Sequence, residues 1–194
     1  MNLETVNKLL SDQTGNHATF YPILKERLDL YPCEEVPFPG EFLFFEERYL
    51  IIKKHMIENN VKQDIVDIGC QFGFQSELFL DSDSYIGIDR YKPSYFMNSE
   101  KDNISYIVGT FPNVDIDLKG KTVISSMSLG YFNNYVNKDE TQAVRDVIDA
   151  LKEAHTIYIA TKESFVNQLA THFKTLEVLE KVDSGDFHLY LLQK

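Results

Sequence analysis

The segment DIVDIGCQFGFQSELF, residues 64–79, decides the fold class. It opens with an apolar run that ends in Asp67, which is typical of a strand buried on both faces. Gly69 and Gly73 then bracket a loop, and the residues after them predict a short helix over 74–80. Glycine at these positions permits backbone geometries that other residues resist, and it makes room for a ligand lying across the loop. Ordinary strand-to-helix turns also use glycine, so the pattern alone leaves both interpretations open.

Apolar strands and helical patterns alternate along the rest of the chain. Further buried strands are predicted at 85–89, 104–109, 121–126 and 156–161. Helical patterns cover 3–10, 22–30, 93–100 and 138–154, begin at Glu41, and follow strand 156–161 as far as about Phe173. The last segment, 175–193, predicts a hairpin that turns at Ser184–Gly185. The predicted fold class is α/β: a doubly wound, mostly parallel seven-stranded sheet with an antiparallel last strand and helices on both faces.

Length and composition favour one domain with an appendage. The 194 residues are 43% apolar, which is enough for a sizeable core. Prolines at 22, 32, 37 and 39 prevent one long helix near the N-terminus. We therefore predict a Pro-rich, helical or irregular extension over 1–40 and the α/β domain over 41–194.

Charge and cysteine content limit the expected partners and compartment. A net charge of −11 opposes phosphate tracking, so no nucleic-acid partner is expected. No run approaches the ~18–20 apolar residues of a membrane span, and the N-terminus lacks the apolar core of a secretory signal, so no membrane partner is expected. Cys33 and Cys70 are too few for a disulfide framework, which favours the cytoplasm. The oligomeric state stays open.

A second acidic residue strengthens the case for a ligand. Asp89 ends the predicted strand YIGID, twenty positions after Gly69. An acid at the end of the second strand can accept hydrogen bonds from both hydroxyls of a ribose. The alternative is a solvated or helix-capping acid.

At these residues the chain resembles the class I S-adenosylmethionine-dependent methyltransferases. Their first motif runs apolar–apolar–Asp–x–Gly–x–x–x–Gly, and IVDIGCQFG (65–73) fits it. YIGIDR matches the family's ribose acid at Asp89, and the final hairpin is similar to the family's reversed last strand. The resemblance covers roughly 41–194. It implies a Rossmann-like fold, S-adenosylmethionine as cofactor and methyl transfer as activity.

The resemblance also implies a set of cofactor-binding residues. The loop backbone would hold the methionine part, while Asp67 would orient the loop or meet the cofactor amine. Asp89 would take the ribose. The remaining positions that the resemblance assigns are Gly69, Cys70, Gln71 and Gly73 in the loop, Thr110 and Phe111 beside adenine, and Ser125 and Ser126 at the amino-acid end of the cofactor.

Three positions depart from the family pattern. Gln71 stands where many members have a glycine, and Thr110 stands where an acid often reads adenine. SSMSLGYF (125–132) lacks the Asn-Pro-Pro-Tyr type motif of amino-methylating nucleic-acid enzymes, and it leaves no catalytic base to name. In the segment that follows the fourth strand, Tyr131 and Asn133 are the candidate acceptor contacts, with a solvated loop as the alternative.

Three functions remain after this reasoning. The first is a methyltransferase acting on a small molecule, or on a protein side chain. The second is a nicotinamide-dependent oxidoreductase, although that class usually begins with Gly-x-Gly and lacks the closing hairpin. The third is a methyltransferase-like fold retained for binding or assembly without catalysis. No metal site is predicted, because none of the five histidines forms an i, i+4 pair or lies near a cysteine at ligand spacing.

Overall fold

The computed structural model describes residues 2–11, 39–71, 73–90, 102–126, 128–129, 140–181 and 187–194, with the side chains at 39–46, 74, 140–141 and 187 left out. The helices are α1 (Leu3–Ser11), α2 (Pro39–Glu58), α3 (Glu140–Leu151) and α4 (Glu163–Ala170), with a 3-10 helix at Phe74–Phe79. The strands are β1 (Asp64–Ile68), β2 (Ser84–Asp89), β3 (Ile104–Val108), β4 (Thr122–Ser126), β5 (Thr156–Lys162), β6 (Thr175–Glu180) and β7 (Phe187–Gln193).

The strands form one sheet in the order β3-β2-β1-β4-β5-β7-β6. Pairs among β1 to β5 are parallel, whereas β7 runs antiparallel between β5 and β6. This arrangement confirms the predicted fold class. Chain order reverses at β1 and β4, and α/β sheets of this kind bind ligands beyond the carboxyl ends of the strands at such a reversal.

Each face of the sheet carries its own apolar core. On the α2 side, Ile65 of β1 packs with residues of α1, α2 and the 3-10 helix. On the α3/α4 side, Val66 and Ile68 pack with residues of α3 and α4. Because side chains alternate along a strand, Asp67 points to the same side as Ile65. An acidic side chain is therefore placed inside an apolar layer.

The observed elements follow the predicted ones closely. Tyr49, Ile52 and Met56, spaced three and four residues apart along α2, are buried. The predicted short helix after the glycine loop is a 3-10 helix over Phe74–Phe79. The predicted helices at 22–30 and 93–100 and the turn at 184–185 lie outside the described residues.

The boundary at residue 40 stays a prediction. Val6 of α1 is fully buried and belongs to the core on the α2 side, so part of the proposed extension packs on the body. None of the helices in the described part of the chain combines the length and apolar character needed to cross a bilayer.

Candidate functional site

The loop between β1 and the 3-10 helix lies at the point where the strand order reverses. Three of its residues have left-handed backbone conformations: φ is 75° at Gly69, 48° at Gln71 and 72° at Gly73. Glycine adopts this region freely, which accounts for two of the three positions. Gln71 adopts it at a cost of roughly 1–2 kcal/mol for a residue with a side chain. Gln71 therefore has a left-handed backbone at the position where many members of the resembled family have a glycine.

The N–H groups of the described loop residues are used within the chain. Those of Gly69 and Cys70 donate to the Ile88 carbonyl at 2.8 and 3.2 Å, and that of Gly73 donates to the Cys70 carbonyl at 2.9 Å. The N–H of Gln71 donates to Asp89 Oδ2 at 2.9 Å. A ligand that used any of these four N–H groups would therefore have to displace the bonds that they make.

The last of these bonds also locates Asp89. Its carboxylate lies at the carboxyl end of β2, beside the loop, where the resemblance places the ribose acid. Gln71 contacts this carboxylate through its backbone N–H, while Gln71 itself is exposed to solvent. The two sequence motifs, which lie 18 residues apart at this contact, are brought together.

Asp67 lies beneath the loop and is fully buried. The Tyr49 hydroxyl donates to Oδ1 at 3.0 Å, while Tyr85 Oη and Gln75 Nε2 donate to Oδ2 at 2.5 and 2.8 Å. These donors come from α2, β2 and the 3-10 helix. Of the two roles that the sequence suggested for Asp67, this enclosure supports orientation of the loop rather than contact with the cofactor amine.

The surroundings of Asp67 change its proton affinity. Burial raises its pKa from 3.8 to about 6, and the Asp89 charge acts in the same direction. The hydrogen bonds from Tyr85, Gln75 and Tyr49 lower the pKa but only in part offset the burial. Burial next to Asp67 raises the pKa of the Tyr49 and Tyr85 hydroxyls, so both remain proton donors at neutral pH.

Cys70 and Gly87 lie next to each other where the loop packs on β2. Cys70 is buried, and burial near Asp67 raises the pKa of its thiol, as expected for a packing residue rather than a reactive thiolate. A Cβ at Gly87 would lie 2.6 Å from the Tyr106 ring and 2.8 Å from Cys70 Sγ. Tyr106 Oη donates to Ser76 Oγ at 3.1 Å. Glycine at 87 therefore lets the loop and the Tyr106 ring lie directly on β2.

At the end of β4, Ser125 and Ser126 have different environments. Ser128 Oγ donates to the Ile68 carbonyl at 2.6 Å, so Ser125 Oγ must donate to Ser128 Oγ across their 2.7 Å contact. Ser126 Oγ is buried, and no described residue hydrogen-bonds to it. Of the two predicted serines, Ser126 is the one whose hydroxyl has no partner in the described part of the chain.

Ser128 was not predicted, and it explains Gly69. A Cβ on Gly69 would lie 2.0 Å from Ser128 Cβ. The space left by the missing side chain is thus filled by the protein itself, rather than kept for a ligand. This close approach links the loop after β4 to the loop after β1.

The remaining predicted residues lie apart from this cluster. Thr110 is exposed after β3, whereas Phe111 is 5% exposed and packs in the core on the α3/α4 side. With its ring buried there, stacking of Phe111 on adenine stays a prediction that would require the ring to move. Tyr131 and Asn133 lie outside the described residues.

Besides Ser128, sequence reasoning missed Gln75, Tyr85 and the role of Tyr49 as a donor. Gln75 Nε2 bonds to Asp67 and also to the Cys70 carbonyl at 2.9 Å. The only sequence signal for it is an amide in an apolar run directly after the glycine loop. Tyr49 lies on the buried face of α2, and nothing in the spacing of apolar residues indicates that its hydroxyl is a donor to Asp67.

Methyltransferases of known structure share this fold. Magnesium protoporphyrin IX methyltransferase (ChlM) from Synechocystis PCC 6803, solved with bound SAM, matches 100% of this chain and 98% of its own, with a TM-score of 0.57 and 10% identity. The methyltransferase domain of bacterial CtHen1-CN matches 77% of this chain and 99% of its own, with a TM-score of 0.58 and 12% identity. The 23S rRNA methyltransferase ErmE matches 74% of this chain and 67% of its own, with a TM-score of 0.51 and 14% identity.

These likenesses define the fold. No protein-family model and no curated protein matches the sequence significantly. At identities of 10 to 14%, what these proteins share with this chain is the fold. The chain therefore has the Rossmann-like fold of the class I S-adenosylmethionine-dependent methyltransferases, and the resemblance seen in the sequence is confirmed at that level.

The close packing at Gly69 is testable against a matched glycine. Gly120 has nearly the same φ, 74°, but nothing lies within 4 Å of a Cβ built there. Gly120→Ala should destabilise by roughly 1–2 kcal/mol from backbone strain alone. Gly69→Ala adds the clash with Ser128, so its cost should be larger by about 1–3 kcal/mol in urea unfolding. In a Ser128→Gly background this excess should disappear; equal costs at the two glycines in the native background would contradict the packing.

The buried Asp67 predicts a pH-dependent stability. Between pH 4 and 6 the folded protein binds more protons at Asp67 than the unfolded chain does, since folding raises its pKa from 3.8 to about 6. The contribution of Asp67 to the free energy of unfolding is therefore present below pH 4 and falls as the pH rises through 6. Relative to Asp67→Asn, the native protein should lose up to about 3 kcal/mol over this window in urea titrations. A difference in the free energy of unfolding between the two proteins that stays constant from pH 4 to 7 would contradict the raised pKa of Asp67.

Proposed function

We propose that this protein binds S-adenosylmethionine and transfers its methyl group to a small molecule. The observation that carries the proposal is the position of Asp89. Its carboxylate is fixed against the glycine loop by Gln71 N–H, at the strand reversal of a methyltransferase fold. An acid at this place in such folds is suited to the hydroxyls of a ribose.

The groups around the loop match the polar parts of this cofactor. Its ammonium group is a donor and needs acceptors. The carbonyl oxygens of Gly69 and Gln71 are the candidates in the loop, because those of Cys70 and Gly73 already accept hydrogen bonds within the chain. Its carboxylate is an acceptor, which suits the buried Ser126 hydroxyl. When bound, the cofactor supplies a methyl group on a sulfonium. Positioning of an acceptor next to such a group provides much of the catalysis, so the lack of a predicted base is compatible with activity.

The choice of a small-molecule acceptor rests on charge. Proteins of this fold methylate porphyrins and ribosomal RNA alike, to judge from ChlM and ErmE, so the fold does not select the substrate. The net charge of −11 is unfavourable for a polyanion and leaves a small molecule or a protein side chain. Tyr131 and Asn133 remain the predicted acceptor contacts.

The second candidate is a binding protein that keeps the fold without catalysis. The internal bonding of the loop N–H groups and the left-handed Gln71 favour it, because both reduce the contacts that the loop offers. Separate measurements of cofactor binding and of methyl transfer distinguish the two functions. A binder with no turnover in the presence of candidate acceptors would fit this second function.

Cofactor binding is tested by isothermal titration calorimetry with S-adenosylmethionine and S-adenosylhomocysteine. Asp89→Ala removes charge-assisted bonds to the ribose, so affinity should fall by roughly 10- to 100-fold. Asp146→Ala is the control, because Asp146 is an exposed acid on α3. NADH in a parallel titration addresses the nicotinamide alternative. No heat with folded native protein at millimolar S-adenosylmethionine would refute the proposal.

A further inference from the structure

Gln75 holds the carbonyl of one peptide unit of the loop. Its Nε2 lies 2.8 Å from Asp67 Oδ2 and 2.9 Å from the Cys70 carbonyl oxygen. Both partners are acceptors without hydrogens at these atoms, so the amide can only present its two N–H donors here. A flipped amide would set Oε1 against two oxygens. The orientation of the Gln75 side chain is therefore determined by its neighbours.

The same peptide unit is held at its other end by Asp89. The Cys70 carbonyl and the Gln71 N–H belong to one planar amide, and the N–H donates to Asp89 Oδ2 at 2.9 Å. Gly73 N–H adds a second bond to the Cys70 carbonyl and closes the turn. Because the amide is rigid, rotation that breaks the bond from Gln75 also moves the N–H away from Asp89.

We propose that Gln75 is a positioning residue for the cofactor site, which acts by holding the Cys70–Gln71 peptide so that Asp89 is kept in place for the ribose. A continuous series of hydrogen bonds links Asp67, Gln75, this peptide and Asp89. The consequence for cofactor affinity rests on the proposed function. The expectation that Gln75 holds the loop peptide in place does not rest on the proposed function.

The enclosure of Gln75 makes its replacement by glutamate informative. Gln75→Glu places a carboxylate against Asp67 and the Cys70 carbonyl, with no donor left between them. The titratable groups that face this pair are Tyr49 from α2 and Tyr85 and Asp89 from β2, with the Cys70 thiol in the loop. None of them is a cation. The pair of carboxyl groups should therefore retain a proton at low pH, and that proton restores a donor.

The first test uses the ligand-free protein. Hydrogen exchange at the Gln71 amide, followed by NMR at pH 7.5, should accelerate roughly 10-fold in Gln75→Glu and in the uncharged Gln75→Met, since one hydrogen bond of the peptide is lost. Gln168→Glu, at an exposed glutamine of α4, should leave this amide unchanged. If the Glu variant does not fold, the Met variant decides. Unchanged Gln71 exchange in folded Gln75→Met overturns the proposal.

The second test measures binding of S-adenosylhomocysteine by calorimetry. The affinity of Gln75→Glu should fall roughly 10-fold or more at pH 8 and recover at pH 5.5. The affinity of Gln75→Met should be reduced at both pH values, and that of Gln168→Glu should equal that of the native protein at both. A merely structural role of Gln75 would lower the melting temperature without this pH-dependent recovery. Absence of binding by the native protein would refute the proposed function, and the exchange measurement would still decide the role of Gln75.

Discussion

The burial of one carboxylate organises this structure. Asp67 lies inside the apolar layer between the sheet and α2, with no exposed surface. Leaving such a group without hydrogen bonds costs several kcal/mol, so the fold must bring donors to it. It does so from three elements, through Tyr49, Tyr85 and Gln75. The docking of α2, the register of β2 and the start of the 3-10 helix are thereby tied to a single side chain.

The hydrogen bonds that satisfy Asp67 continue through the loop to Asp89. Gln75 satisfies Asp67 and the Cys70 carbonyl with one amide, and the next N–H along the chain reaches Asp89. The left-handed conformation of Gln71 is explained by these contacts, because both ends of the peptide that precedes it are held. A glycine is unnecessary where neighbouring bonds already impose the conformation, at the cost of some strain.

The sheet was predictable from sequence because most of its strands are short apolar runs with turn residues between them. Asp67, Gly69, Gly73 and Asp89 were recognisable because their spacing along the chain is regular. Ser128 was not, since its contact with Ile68 joins residues 60 positions apart. Tyr85 was not either, because its hydroxyl reaches Asp67 only through the register that pairs Ile65 with Tyr85 and Asp67 with Gly87. Contacts created by strand register leave no periodic signal in a single sequence.

The hydrogen bonding of the loop also bears on the kind of ligand it suits. Dinucleotide-binding folds hold a pyrophosphate with uncovered N–H groups after the first strand. Here those of Gly69, Cys70, Gln71 and Gly73 are bonded to oxygens of the protein itself. The carboxylate of Asp89 is the acceptor for one of them. A pyrophosphate would have to displace these bonds, whereas a ligand without phosphate groups would not. The hydrogen bonding of these four residues therefore disfavours a nicotinamide dinucleotide, independently of the order of the strands.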